Sequence, residues 1–259
     1  MRKRFAKRQS KQQQQQQQQQ THRKRTDREI LLENPKVAYI TEGDQWIQAR
    51  SEHQQQYIET IRNNDMTVGI GPAGTGKTYI PVAMALQALK DGEVSKIIIT
   101  RPIVEAGEKL GFLPGALEEK INPYLRPIYD AIESMDGYGA VERLVGSRSV
   151  EIAPIAYMRG RTFENSFIIV DEAQNTTVDQ LEMLVTRMGM GSKLVITGDI
   201  TQVDLPKRRN SGLLTFKEIV GGISKIKFHA FTDEDVMRHP IVKEIVKAYE
   251  LWKNRDEQK

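Results

Sequence analysis

The chain contains no cysteine, which excludes disulfides and thiolate metal sites. That fits a reducing compartment without requiring one. With only four histidines to set beside the missing thiols, no zinc site can be argued. No apolar run approaches the roughly 18 residues of a membrane helix, so no span is expected. A secretory signal would need an apolar core segment, and none is present. A mitochondrial presequence would need amphipathic helical spacing, which a run of nine glutamines, Gln12 to Gln20, does not supply. The expected location is the cytoplasm, away from membranes.

What is present is a soluble composition: 259 residues, 39% hydrophobic and 28% charged. That suits one medium domain with tails, or at a stretch two small domains. The formal charge is unevenly spread. Residues 1–28 hold ten Lys or Arg against the single acid Asp27, a local charge of +9, so a total of +4 leaves −5 for the remainder. The high pI belongs to the tail. With one aromatic and almost no aliphatic residues, this segment cannot bury enough surface to offset its ordering entropy, and it is expected to be disordered. It reads either as a basic arm drawn to phosphate backbones or as a dispensable solvated tail. Residues 29–50 read as a linker or peripheral segment, and 51–259 as the folded domain.

From residue 52 helices alternate with apolar strands. Thr67–Ile70, Lys96–Thr100, Phe167–Val170 and Lys193–Thr197 are short runs rich in Ile and Val, as buried parallel strands require. Leu181, Leu184, Val185 and Met188 fall at helical spacing, as do Ile241, Ile245, Tyr249 and Trp252. Both stripes are expected in the core. The fold class is therefore α/β, with a doubly wound, mostly parallel sheet.

Between the first strand and a helix over Tyr79–Lys90 lies Gly71-Pro-Ala-Gly-Thr-Gly-Lys-Thr78, a full match to G-x-x-x-x-G-K-[ST]. Glycines there let backbone N–H groups turn toward phosphate oxygens, and the helix N-terminus adds partial positive charge. The expected nucleotide-binding residues are Gly71, Pro72, Ala73, Gly74, Thr75, Gly76, Lys77, Thr78 and, as the helix begins, Tyr79. Lys77 would reach the β- and γ-phosphates, and the Thr78 hydroxyl would ligate Mg²⁺. The strand Phe167–Val170 ends in Asp171 and Glu172, on the edge of the sheet where the loop also lies. Asp171 would hold Mg²⁺, and Glu172 would orient and deprotonate water. A further strand runs into Thr197-Gly-Asp-Ile-Thr-Gln202, where Gln202 would sense the γ-phosphate or position water, supported by Asp199. No N-K-x-D box selects GTP, and a Glu directly after the metal-binding Asp favours water over a kinase acceptor.

Together with Thr100–Gly115, Arg159-Gly-Arg161 and Asp171–Thr177, these blocks resemble the PhoH-type ATPases from about residue 50 to 250. That family is similar in turn to the first RecA-like half of superfamily 1 helicases. The resemblance implies a RecA-like P-loop NTPase using ATP and Mg²⁺. It implies that Gln54 reads the adenine edge, although Gln54, Gln55 and Gln56 in a row leave the register open. It also implies nucleic-acid contact, with RNA or single-stranded DNA, for the Arg101–Gly115 block and for Arg159 and Arg161. Arg101 could instead pair with a local acid, and Arg159 and Arg161 could instead be solvated. The glutamine run departs from the family pattern and gains no role from it.

Superfamily 1 helicases close ATP between two domains. About 50 residues follow Pro206, too few for a second such domain, so a neighbouring subunit is expected to complete the site. The implied assembly is a homo-oligomeric ring, with a hexamer expected. The candidate arginine is Arg238, ahead of Arg187, and either could instead cap a helix end. Two other readings stay open: a nucleotide-gated assembly or binding module with slow turnover, and a small-molecule kinase.

Overall fold

The computed structural model describes residues 27–102, 117–205 and 211–237, and scattered helical positions between 241 and 249. The glutamine-rich tail up to residue 26, residues 103–115 of the block that begins at Arg101, Arg238 and Trp252 lie outside the described residues. By contacts the chain divides into Met1–Asn34 and Pro35–Lys259. In the first unit, helix α1 (Asp27–Glu33) carries Asp27 and Glu29 in its first turn, where acids complement the helix dipole. Asp27 and Arg28, expected to be without structure, open this helix.

The second unit is built on six parallel strands. These are β3 (Met66–Ile70), β4 (Lys96–Arg101), β5 (Val150–Pro154), β6 (Ser166–Val170), β7 (Lys193–Gly198) and β8 (Ile226–Ala230). Their order is β5-β4-β6-β7-β3-β8, and every pairing is parallel. This is the expected α/β class. The four predicted strands are the four inner ones. β6 is buried along its whole length, because both of its faces meet helices. Phe167 and Ile169 enter one core with Ile97, Ile99 and Val195, while Ile168 and Val170 enter the other with Ile98, Leu194 and Ile196. The period of two that separates them is the pleat itself.

Helices α2 (Glu52–Asn63), α3 (Tyr79–Lys90), α4 (Leu117–Asp136) and α5 (Ala140–Gly146) accompany the first core; α6 (Val178–Val185) and α7 (Gly212–Val220) accompany the second. Leu181 and Leu184 are buried as their spacing foretold. The other stripe behaves differently. Ile241, Ile245 and Tyr249 are helical but 57%, 48% and 63% exposed, not core. Periodicity determines which residues share a face, not what that face meets.

Helix α3 is buried on every side from Ile80 to Ala88, because a second, two-stranded sheet covers its outer surface. Strands β1 (Val37–Ile40) and β2 (Trp46–Gln48) pair antiparallel, and all of β1 is buried. The Ile40 N–H donates to Gln87 Oε1 at 2.9 Å, and Lys90 Nζ donates to the Ile40 carbonyl at 2.9 Å. The Tyr39 hydroxyl donates to Asp136 at 2.7 Å; burial and that carboxylate push the phenol pKa far up. Helix α2 starts at Ser51, whose hydroxyl accepts the Gln54 N–H at 3.2 Å. At its far end Lys193 Nζ donates to the carbonyls of Ile61 (2.6 Å) and Arg62 (3.3 Å), groups that a helix C-terminus leaves unpaired. Among the described residues, no helix is long and apolar enough to cross a membrane.

Candidate functional site

Strand β3 ends at Ile70 and the chain enters the glycine-rich loop, tied to the neighbouring strand by the Gly71 N–H donating to Gly198 O at 3.1 Å. Gly74 and Gly76 have φ of 89° and 86°, a region costly to any residue with a Cβ. Lys77 is buried, and its ammonium folds back to donate to the Pro72 carbonyl at 3.3 Å. Thr78 occupies the N-cap of α3 without capping it. Its hydroxyl instead donates to Asp171 Oδ1 at 2.7 Å.

The start of α3 shows why a residue far from the motif belongs to it. A helix would satisfy the Lys77 carbonyl from the N–H of residue 81, but residue 81 is proline and has none. The buried hydroxyl of Tyr57 supplies the donor, 3.2 Å away. Burial raises the Tyr57 pKa well above its ordinary value, so the phenol keeps its proton. The hydroxyl reaches the loop across Gly69, where a Cβ would stand 2.4 Å from the phenol oxygen.

Asp171 follows β6 and is 1% exposed. Its N–H donates to Thr100 O at 2.9 Å, and its Oδ1 also accepts the Thr197 hydroxyl at 2.6 Å. That second bond exists because β7 lies between the loop strand β3 and the acid strand β6. Glu172 sits in the left-handed region with φ 53°, an uncommon conformation that clusters at functional sites. Its Oε2 accepts from Gln174 Nε2 at 2.6 Å. Gln174 is a junction: it also donates to Gln202 O at 3.2 Å and accepts the Asp199 N–H at 3.0 Å. Asp199 in turn accepts from Thr201 Oγ1 (2.6 Å) and Gln202 Nε2 (2.7 Å). Gln202 is thereby linked to Glu172 through Gln174, while its own amide folds onto Asp199.

Beside the loop opens a cleft of about 650 Å³, lined among others by Ala38, Ile47, Gln54, Tyr79, Ile80 and Met237. Gln54 is buried, accepting the Arg50 N–H at 2.8 Å and donating to Thr75 O at 2.9 Å. Its amide is held rigidly at the cleft wall, and Tyr79 lies on the same wall. Met237 closes the rim, its N–H donating to Gly74 O at 2.9 Å. The segment before it is anchored by His53 and Asp235, 2.8 Å apart; the Asp235 carboxylate holds the imidazole pKa above its usual value.

The arginines fall in different places. Arg101 lies beside both acids, 3.7 Å from Asp171 Oδ2 and 3.6 Å from Glu172 Oε1. Arg161 is committed to a two-pronged pair with Glu151 and stands 4.7 Å from the centre of the Phe163 ring. Arg161, with Lys96, holds the Glu151 carboxyl down at about 2. Arg159 is exposed. Arg187 donates to the carbonyls of Met183 and Arg161, each at 3.0 Å, the helix-end role open to it from the sequence.

Sequence reasoning missed Tyr57, Gln174, the β1–β2 hairpin and Met237 as parts of this corner. Only Gln174 had a signal, its place in Asp-Glu-Ala-Gln.

The donors suit a hard divalent cation. Thr78 and Asp171 offer two oxygens 2.7 Å apart, and no cluster of three His, Cys, Asp or Glu suited to a metal occurs among the described residues. Mg²⁺ is held in this way where substrate phosphates and water complete its shell. A glycine-rich loop that meets a buried acid at this edge of a parallel sheet defines a protein of the P-loop nucleotide-binding class.

Comparison with known sequences narrows the class. Residues 46–250 match the family model described as PhoH-like protein. The chain is 52% identical over 204 residues to a PhoH-like protein of Bacillus subtilis (strain 168), covering 79% of this chain and 64% of that one. It is 50% identical over 208 residues to a PhoH-like protein of Synechocystis sp., covering 80% and 63%. It is 42% identical over 205 residues to Protein PhoH of Escherichia coli (strain K12), covering 78% and 58%. The chain thus belongs to the PhoH-like family and aligns with less than two thirds of the length of these relatives.

Proposed function

We propose that the protein hydrolyses ATP with Mg²⁺ and couples this to RNA or single-stranded DNA as a homo-oligomeric ring, a hexamer. The observation that carries the hydrolytic part is the 2.7 Å contact of Thr78 and Asp171, with Glu172 next in the chain and bonded to the Gln174 junction.

In this reading the loop N–H groups and the α3 N-terminus bind the triphosphate. Lys77 leaves the Pro72 carbonyl for the β- and γ-phosphates. Thr78 and Asp171 hold Mg²⁺, which supplies charge neutralisation at the phosphate oxygens when bound. The Glu172 carboxylate accepts the proton of the attacking water, and Gln174 holds that carboxylate in place. Gln202 and Asp199 join the same network from β7 and carry its geometry to the surface. Gln54, its amide oxygen taking the Arg50 N–H and its amide nitrogen donating to Thr75 O and Met237 Sδ, stands at the cleft wall where the base would lie.

The nucleic-acid part rests on the resemblance of the Arg101–Gly115 and Thr197–Gln202 blocks to helicase segments. The ring follows from the need for a charge-stabilising arginine. With Arg187 engaged by its own helix, Arg238 is the residue we nominate, supplied by a neighbouring subunit.

The deciding experiment is an ATPase assay with and without RNA and single-stranded DNA, on wild type and Glu172→Gln, with mass measured in solution. Hydrolysis stimulated by nucleic acid and lost in Glu172→Gln, with nucleotide binding retained, is the expected result. Hydrolysis unchanged in that variant removes Glu172 as the base. A nucleotide-gated assembly with slow turnover is favoured by one observation, the hold that Gln174 and Arg101 together have on Glu172. It predicts assembly that follows nucleotide while hydrolysis stays slow.

A further inference from the structure

Arg101 is the last residue of β4, and β4 runs directly beside the acid strand, Thr100 opposite Val170. The next residue on each strand therefore brings a guanidinium up to Asp171. The left-handed turn at Glu172 brings the second carboxylate to the same cation. Each acid divides its oxygens. Asp171 gives Oδ1 to Thr78 and Thr197, and Glu172 gives Oε2 to Gln174, all at 2.6–2.7 Å. The other oxygen of each faces Arg101, at 3.7 and 3.6 Å. Those separations exceed a hydrogen bond, so the hold is Coulombic and yields readily to a closer charge. Arg101 is also shielded, its side chain 22% exposed and that of Asp171 2%, which limits screening by water and salt.

We propose that Arg101 is a positioning residue that clamps the two carboxylates together and competes with the divalent cation for Asp171. The inference rests on the nucleotide-site reading above and adds to it a built-in opponent of metal binding. A cation joining Thr78 to Asp171 meets an acid already partly neutralised, so the site demands more Mg²⁺ than its oxygens alone would need. Glu172 is kept in register by the same charge, drawn toward β4 on one side and held by Gln174 on the other. Lysine would keep the charge and lose the fork that spans both acids, so the two contributions can be separated.

The test is a Mg²⁺ titration of the binding of a fluorescent non-hydrolysable ATP analogue to the full chain. Wild type, Arg101→Gln, Arg101→Lys and Lys77→Ala are compared, with melting curves to verify folding. In Arg101→Gln the half-saturating Mg²⁺ falls by about tenfold, the scale of removing one nearby unit charge from a shielded site. In Arg101→Lys it stays within about twofold of wild type, because the charge remains. A merely structural arginine would move both variants alike. The proposal is overturned if Arg101→Gln needs as much Mg²⁺ as wild type or more, or if Arg101→Lys falls with it. Should Arg101→Gln not fold, Arg101→Met, unbranched and uncharged, takes its place under the same criteria. Failure of the underlying reading looks different: wild type then binds no Mg-nucleotide, or Lys77→Ala binds it equally well.

Discussion

Tyr57→Phe removes one oxygen from a fully buried ring, and its cost follows from Pro81. The Lys77 carbonyl lies where α3 begins, the proline four residues on cannot donate to it, and the phenol at 3.2 Å does. Stranding a buried carbonyl costs about 1–3 kcal/mol, and the absence of a helical donor places this case near the middle, about 2 kcal/mol. For a domain of this size each kcal/mol moves the melting temperature by roughly 2–4 °C, so a fall of roughly 4–8 °C is expected. Pro81→Ala gives the helix back an N–H aimed at the same carbonyl and should by itself change stability by less than about 1 kcal/mol. In the double variant much of the Tyr57→Phe loss returns, with a coupling of about 1–2 kcal/mol. Thermal and urea denaturation of the four proteins measure the cycle. Additive effects, or a Tyr57→Phe variant as stable as wild type, would refute the claim that the tyrosine stands in for the missing N–H.

Gln174→Leu deletes the amide joining Glu172, Asp199 and Gln202. Steady-state kinetics should show turnover reduced by about 10- to 100-fold with little change in the KM for ATP, and an effect confined to KM would contradict the positioning role. Gly76→Ala forces φ 86° on a residue with a Cβ and sets that carbon 2.9 Å from Gln54 Nε2. With a backbone cost of about 1–2 kcal/mol, nucleotide affinity measured by titration should drop about tenfold or more, and unchanged affinity would tell against the loop geometry. The Glu151 carboxyl, held at about 2 against an ordinary 4.5, is depressed in the folded state. Its contribution is therefore complete above pH 4.5 and lost as pH falls toward 2. Melting temperature should decline less steeply in Glu151→Gln than in wild type across that window, by the equivalent of about 1 kcal/mol at most for so open a pair; parallel curves would refute it.

The four inner strands could be read from sequence because burial on both faces leaves an unbroken apolar run such as Phe167-Ile-Ile-Val170. The edge strands β5 and β8 could not. Val150-Glu-Ile-Ala-Pro154 and Ile226-Lys-Phe-His-Ala230 have one neighbouring strand each, so polar residues interrupt the pattern. The hairpin β1–β2 was hidden for a different reason: its burial comes from α3 and α4, not from its own periodicity. In the site, the phosphate loop and the acid pair were legible because their chemistry is contiguous in the chain. Met237 and the particular acids that Arg101 meets were not, since β8 lies beside β3 and β4 beside β6 only in the folded sheet; Tyr57 was not, since its part follows from the donor that Pro81 lacks. The Ile241–Tyr249 stripe marks the opposite limit, where a correct helical period led to a wrong burial.

The bond from the Met237 N–H to the Gly74 carbonyl hinges the chain beyond β8 on the phosphate loop itself. The peptide plane that carries the Gly74 carbonyl cannot rotate without releasing or dragging Met237. The same stretch is pinned through Asp235 to His53, one residue before Gln54. Gln54, the glycine-rich loop and the stretch that ends at Met237 therefore share one set of fasteners.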